Sequence, residues 1–265
     1  MDILFIGAGK MATAIAKGAV RNQLFPQARF RACDPSEQAR ASFTAQTGLE
    51  ALPEATPEAV SAADVLILAV KPQTAPVAFP ALPPRKPGCL ILSICAGLSL
   101  AKLRTWFGDA RMVRVMPNTP LMVGMGASCY ALSDDNDKDA GAFAETLLGA
   151  LGKAWRVPEE QLDAVTALSG SGPAYFFAFI EALTKGGVAM GLPEELSQEL
   201  SIQTMAGATA MLQQKTGTPA ELRVAVTSKG GTTAAALDVM SARHFDDLVQ
   251  ELLLAAQHRS QELGR

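Results

Sequence analysis

The chain has 265 residues, 49% of them hydrophobic and 18% charged, with a formal net charge of -3. That length carries one large domain or two ordinary ones with real cores. The small acidic balance, without a Lys/Arg block, argues against nucleic acid or an anionic membrane as the main partner.

Ile3-Leu4-Phe5-Ile6 is apolar throughout rather than alternating, as are Val65 to Val70 and Leu90 to Ile94. Strands covered by helices on both faces have this texture, so a parallel sheet with crossover helices is expected. Shorter strands are expected at Arg29 to Cys33, Met112 to Val115, Ala127 to Leu132 and Ala154 to Val157. The first strand runs into Gly7-Ala8-Gly9-Lys10-Met11-Ala12, a G-x-G-x-x-A turn opening a helix that extends to about Val20. Gly7 permits the tight turn, Gly9 lets backbone approach a pyrophosphate, and Ala12 allows close helix–sheet packing. Unpaired N–H groups at the helix start suit phosphates. The strand–turn–helix context, with Asp34 after the second strand, favours dinucleotide binding over a mere connector. Asp34 can bond ribose hydroxyls and repel a 2′-phosphate, which by itself points to NADH; Arg40 is the first arginine after it. The same stretch also reads as an Asp-Pro turn with Ser36 capping the next helix, so cofactor choice stays open on these residues.

In an open α/β sheet, ligands lie at the carboxyl ends of strands. Lys71-Pro72-Gln73, Cys95-Ala96-Gly97 and Met116-Pro117-Asn118-Thr119-Pro120 end three successive strands, with a Pro-rich surface loop at Pro80 to Pro87 between the first two. The small residues of Cys95-Ala96-Gly97 could accommodate a flat nicotinamide ring.

From about Glu159 the texture turns helical, giving an expected division into residues 1–157, a dinucleotide-binding α/β domain, and 158–265, an all-helical domain. Ser169-Gly170-Ser171-Gly172-Pro173 precedes the first long helix, either as a cap or as hydroxyls facing a cleft. Gly191-Leu192-Pro193 and Gly217-Thr218-Pro219 break helices, and Phe245 to Leu263 is an amphipathic helix. Phe176, Phe177, Phe179 and Ile180 give the first of these helices apolar surface on more than one side, so burial against a second subunit is expected. The stretch Val226-Thr227-Ser228-Lys229-Gly230-Gly231-Thr232-Thr233 combines hydroxyls and glycines without His or carboxylate, which suits a small carboxylate that is bound rather than broken.

Cys33, Cys89, Cys95 and Cys129 form no C-x-x-C pair and are expected to be buried and reduced. Met1-Asp2 offers no signal-peptide start, and Pro173 to Ile180, followed by Glu181 and Lys185, is too short for a membrane span, so a cytosolic protein is expected. His244 and His258 lie far from every glycine loop, and no metal-ligand spacing occurs, which leaves no obvious imidazole base. Hydride delivery to a protonated imine needs mainly orientation and a dry site.

Together Ile6 to Gly9, Ala69-Val70-Lys71-Pro72-Gln73, Val115 to Pro120, Leu168 to Tyr175 and Thr227 to Thr233 resemble pyrroline-5-carboxylate reductase over essentially the whole chain. The resemblance implies a Rossmann-like domain, a helical domain that forms a homodimer by interlocking helices, and rings of dimers beyond that. It implies reduction of the C=N bond of 1-pyrroline-5-carboxylate to L-proline by NADPH or NADH. By position, Ile6, Gly7, Ala8, Gly9, Lys10, Met11 and Asp34 would face the dinucleotide, with Ala69, Val70, Lys71, Pro72, Cys95, Ala96 and Gly97 lining the rest of its path. Ser228, Gly230, Gly231, Thr232 and Thr233 would hold the substrate carboxylate, helped by Asn118 and Ser171. Ser228 and Thr233 would be the catalytic pair, Thr233 acting at the ring nitrogen. Lys10 stands where the family usually has Asn, and Lys229 where it usually has Pro; many relatives prefer NADPH.

Two other readings compete. A β-hydroxyacid dehydrogenase would use a helix Lys with an Asn four residues later, but Lys185 is followed by Ala189. A non-catalytic dinucleotide sensor would not need the Ser228–Thr233 loop.

Overall fold

The computed structural model describes residues 1–264. Among them the chain runs β1 (Asp2–Ile6), α1 (Lys10–Arg21), β2 (Arg29–Cys33), α2 (Glu37–Thr47), β3 (Glu50–Leu52), α3 (Pro57–Ala62), β4 (Val65–Leu68), α4 (Ala75–Ala78), β5 (Leu90–Ser93), α5 (Leu100–Phe107), β6 (Met112–Met116), β7 (Gly126–Leu132), α6 (Lys138–Gly149), β8 (Gly152–Arg156) and α7 (Leu162–Val165). It continues with α8 (Gly172–Ala189), α9 (Glu194–Gln213), α10 (Pro219–Ala225), α11 (Thr232–Ala242) and α12 (Phe245–Leu263). Two compact units result, one formed by Met1–Ser171 with the chain from Ala255 on, the other by Gly172–Leu254. The last strand, β8, ends at Arg156, beside the 157/158 division drawn from sequence. By compactness, α7, the chain up to Ser171 and the last turns of α12 group with the sheet.

The first unit is one sheet in the order β3-β2-β1-β4-β5-β6-β7-β8. Its central strands β1, β4 and β5 are apolar on both faces, save Asp2 and Ser93 at strand ends, because both faces are covered. Ile3, Phe5, Val65, Ile67, Leu90 and Leu92 point into one core with Ile15 of α1, Phe43 of α2 and Leu147 of α6. Leu4, Ile6, Leu66, Leu68 and Ile91 point the other way, against Val60 of α3 and Leu103 of α5. This alternation along uniformly apolar strands follows from the two-residue repeat of a strand. β3 was not expected, and β6 pairs with β7 in antiparallel register, Val113 opposite Leu132, so the sheet departs there from all-parallel. The connection between them holds only a short 3₁₀ turn, Thr119–Val123, too little chain for the crossover a parallel neighbour needs.

The second unit is all helical. Helices α8 and α9 cross where Gly187 meets Ser197; a Cβ on Gly187 would stand 2.5 Å from Ser197 Oγ, so only glycine lets the helices come so close. Ser197 bonds its own turn, donating to the Pro193 carbonyl at 2.9 Å. Outside that crossing the unit keeps little apolar surface from water: Phe176 is 59% exposed, Phe177 61% and Met190 80%. Among the described residues no helix is long and apolar enough to cross a membrane.

Candidate functional site

The glycine turn at the end of β1 is shaped by packing. Gly7 has φ +107°, and a Cβ there would lie 2.8 Å from the Ala69 carbonyl oxygen. Its N–H donates to the Cys33 carbonyl at 2.8 Å, tying β1 to β2. Gly9 differs. It begins α1 in extended conformation, no side chain caps the helix, and a Cβ on it would meet nothing within 4 Å. The protein itself therefore does not require a glycine at that point, whereas a phosphate drawn against the helix N-terminus would. Ala12 is fully buried beneath the turn, as close helix–sheet packing requires.

Asp34 follows β2 directly. Its Oδ2 accepts the Ala8 N–H at 2.9 Å, and its Oδ1 accepts the Ser36 N–H at 2.9 Å. Ser36 caps α2, its hydroxyl accepting the Ala39 N–H. The acid thus makes the Asp-Pro turn and also braces the glycine turn, and the Ala8 N–H already has its partner. Arg40, one turn into α2, folds back so that its guanidinium donates to the carbonyls of Asp34 at 2.8 Å and Pro35 at 3.0 Å. From sequence Arg40 was only the first arginine after Asp34. Its distance along the helix from the Ser36 cap was the one signal that it returns to the turn.

Ala69 and Val70 leave β4, Lys71 is exposed, and Pro72 opens a 3₁₀ turn. Cys95 leaves β5, its sulfur 3.5 and 3.3 Å from the carbonyl oxygens of Leu68 and Val70. Burial pushes its thiol up to about 11, so it is a neutral spacer between two strand ends rather than a nucleophile. Ala96 and Gly97 complete this loop, Gly97 with φ +77°. The ends of β1, β4 and β5, neighbours in the sheet, place Gly7, Ala69 and Cys95 side by side at one sheet edge.

Asn118 is buried and spends both ends of its amide on the protein. Its Oδ1 accepts the Ala127 N–H at 2.9 Å and its Nδ2 donates to the Ser169 carbonyl at 3.2 Å. Ser169 Oγ donates in turn to the Ala127 carbonyl. These bonds clasp a π-helical turn, Thr166–Gly170, closed by the Ser171 N–H on the Thr166 carbonyl. Asn118 holds backbone, and Ser171 is partly exposed at the end of the turn.

In the second unit, α10 starts with a capping box between Thr218 and Glu221. The hydroxyl-rich loop follows. Thr227 Oγ1 donates to the Arg223 carbonyl at 2.6 Å, and the Gly231 N–H to the Ser228 carbonyl at 3.0 Å. Gly230 has φ +70°, which the turn needs glycine to adopt, and a Cβ on Gly231 would crowd the Ser228 hydroxyl, which would have to rotate away. Gly231 begins α11 in extended conformation with no side-chain cap. Thr232 and Thr233 occupy the first turn, where N–H groups lack helical partners. Ser228 and Thr232 are exposed, Thr233 half-buried.

Helices α2, α3, α5, α6 and α10 each open on a Ser, Thr or Asp whose side chain accepts a first-turn N–H. Helices α1 and α11 open instead on a glycine that caps nothing. These two helix starts are suited to anions, and they are the two singled out by motif. Neither His244 nor His258 bonds to either one; both are exposed, and His244 sits 3.5 Å from Asp247.

A doubly wound sheet with a glycine-led α1 and an acid after β2 defines a dinucleotide-binding oxidoreductase fold. Residues 2–97 match the family model described as NADP oxidoreductase coenzyme F420-dependent, and residues 159–263 match that of pyrroline-5-carboxylate reductase dimerisation. A pyrroline-5-carboxylate reductase of Pseudomonas aeruginosa is 44% identical over 99% of this chain and 96% of its own length. The structure of such a reductase from Coxiella burnetii superposes with a TM-score of 0.88 at 33% identity, covering 99% of this chain and 98% of that one. The Plasmodium falciparum pyrroline carboxylate reductase, solved with NADP bound, gives 0.87 at 29% identity over 100% of this chain and 98% of that one. The chain belongs to the pyrroline-5-carboxylate reductase family.

Proposed function

We propose that this chain reduces 1-pyrroline-5-carboxylate to L-proline, the last step of proline biosynthesis, with NADPH or NADH as the reductant. The observation that carries the reading is the pair of glycine-led, uncapped helix starts, α1 and α11, in a chain matched end to end by reductases of that name.

The residues of the first unit suit the dinucleotide. Gly9, Lys10 and Met11 offer N–H groups at the start of α1 to its pyrophosphate, with the Lys10 cation beside them. Asp34 and Arg40 stand at the adenosine ribose, and Ala69 to Pro72 and Cys95 to Gly97 line the remaining path. When bound, the cofactor supplies the hydride.

The residues of the second unit suit the imine. The first-turn N–H groups of α11, with the hydroxyls of Ser228 and Thr232, hold the carboxylate. Gly230 and Gly231 act by shaping the turn, since the Gly231 N–H is already bonded within it. Hydride addition at the C=N carbon converts the cyclic iminium to a secondary amine, and the nitrogen retains its proton throughout. Thr233 Oγ1 is the hydrogen-bond partner of that nitrogen, or, when the imine binds neutral, supplies it a proton that solvent then replaces. Asn118 acts by bracing backbone rather than by touching substrate, and Ser171 lies at the end of the turn so braced. No imidazole is needed, because no alcohol proton has to be removed.

The unit that carries α8 and α9 makes the homodimer, in accord with the dimerisation model matched by residues 159–263. Rings of such dimers are a further expectation. Steady-state reduction of the cyclic imine with each reduced cofactor, followed by loss of nicotinamide absorbance, tests the activity. Turnover with neither cofactor would overturn it.

A further inference from the structure

The loop after β5 is held from two sides within the first unit. On one side Cys95 rests on the carbonyls that end β4. On the other side the last residues of α12 press against Gly97. A Cβ on Gly97 would stand 3.2 Å from Leu263 Cβ, and one on Gly264 only 2.6 Å from the Gly97 carbonyl oxygen. Two glycines back to back allow an approach that no other pair of residues would.

The end of α12 is itself fixed. Ser260, 4% exposed, donates from Oγ to Asp163 Oδ1 at 2.7 Å. The same oxygen accepts Arg114 Nη2 at 3.3 Å, and Arg114 Nη1 reaches Glu159 Oε1 at 3.1 Å. Glu159 Oε1 accepts the Leu100 N–H at 2.6 Å, at the start of α5, so the network closes on the far side of the same loop. The buried Arg114 charge, paired with two carboxylates, makes the anchor stiff.

We infer that the C-terminal turn Ser260–Gly264 positions the Cys95–Gly97 loop for the dinucleotide, with Ser260 a positioning residue for cofactor binding. The inference rests on the assignment of Cys95–Gly97 to the dinucleotide path. A loop clamped by β4 on one side and by α12 on the other is pre-shaped, so binding does not have to order it.

Gly264→Ala is the sharpest probe. Gly264 lies outside the left-handed region, so alanine fits its backbone and the added carbon perturbs only the contact with Gly97. Ser260→Ala removes the latch, and Ser260→Thr keeps the hydroxyl. Binding of NADPH and of NADH to the full-length protein, without imine, is read by nucleotide fluorescence, with KM for the imine and Tm measured alongside. In Gly264→Ala the Kd of the better-bound dinucleotide should rise about tenfold, while KM for the imine stays within about twofold. Ser260→Ala should show a smaller rise and Ser260→Thr should restore binding, which a loss of general stability would not do. Unchanged Kd in both Gly264→Ala and Ser260→Ala, or an imine KM rising in step with Kd, overturns the positioning role while leaving the activity intact. A wild-type chain that binds neither dinucleotide overturns the assignment of the loop, and the inference with it.

Discussion

Asp34 Oδ2 receives the Ala8 N–H at 2.9 Å, so the acid after β2 is a strut for the glycine turn after β1. The carboxylate braces the turn, and the proposed ribose contact would be a second role for it. Replacing it by serine confounds the two. Asp34→Asn comes nearer to separating them, because the amide oxygen still accepts the Ala8 N–H, at the cost of the acceptor for the Ser36 N–H, while the charge that would repel a 2′-phosphate is gone. The ratio of kcat/KM for NADPH to that for NADH should rise about tenfold in this variant, the scale of one unit charge removed near the surface. A ratio that stays put would remove Asp34 from the ribose site.

Arg40 lies over the same turn with a guanidinium that uses one nitrogen on the Asp34 and Pro35 carbonyls. Its remaining N–H groups are chemically matched to a phosphate. Arg40→Ala should raise KM for NADPH about tenfold, while NADH, which lacks the extra phosphate, changes by less than about twofold. Equal losses with both cofactors would assign Arg40 to the turn alone.

Thr233 stands in the first turn of α11, half-buried. Thr233→Ala should lower kcat by about ten- to a hundredfold with the dinucleotide Kd unaltered, and Thr233→Ser should recover most of the loss. Full turnover in the alanine variant would take Thr233 out of the mechanism.

Burial pushes the thiols of Cys33 and Cys95 from 9.0 up to about 11. Folding thus favours their protonated forms, and the unfolded chain loses those protons first as pH rises. The resulting stabilisation is complete below pH 9 and declines as pH rises toward about 11. Melting temperature should fall across that interval. The double variant Cys33→Ala, Cys95→Ala should show a shallower fall than the parent, and parallel curves would mean the thiols do not contribute.

Much of the fold could be read from the chain because β4 is apolar at every position and β1 and β5 at all but one terminal position each, Asp2 and Ser93, which a doubly covered sheet explains. β3 escaped notice since its three residues, Glu50, Ala51 and Leu52, make no apolar run and only extend the edge beside β2. The reversed direction of β7 is not encoded in its residues either; it follows from the short connection after Met116. At the site, the turns at Gly7 and Gly230 were legible because glycine marks backbone demands, whereas Gly9 answers no demand of the fold itself. Which amides stay free was not, for the partners of Ala8 and Gly231 are set by where Asp34 and Ser228 come to lie. The return of Ser260 to Asp163 joins residues 97 positions apart and leaves no local trace.

The crossing of α8 and α9 buries a glycine and a serine, and from Gly172 to Leu254 no apolar side chain is fully shielded within the single chain. Such a unit has too little core to hold itself folded and draws its stability from association. Unfolding of this unit should therefore obey mass action, its midpoint climbing with protein concentration while a self-sufficient domain would ignore dilution.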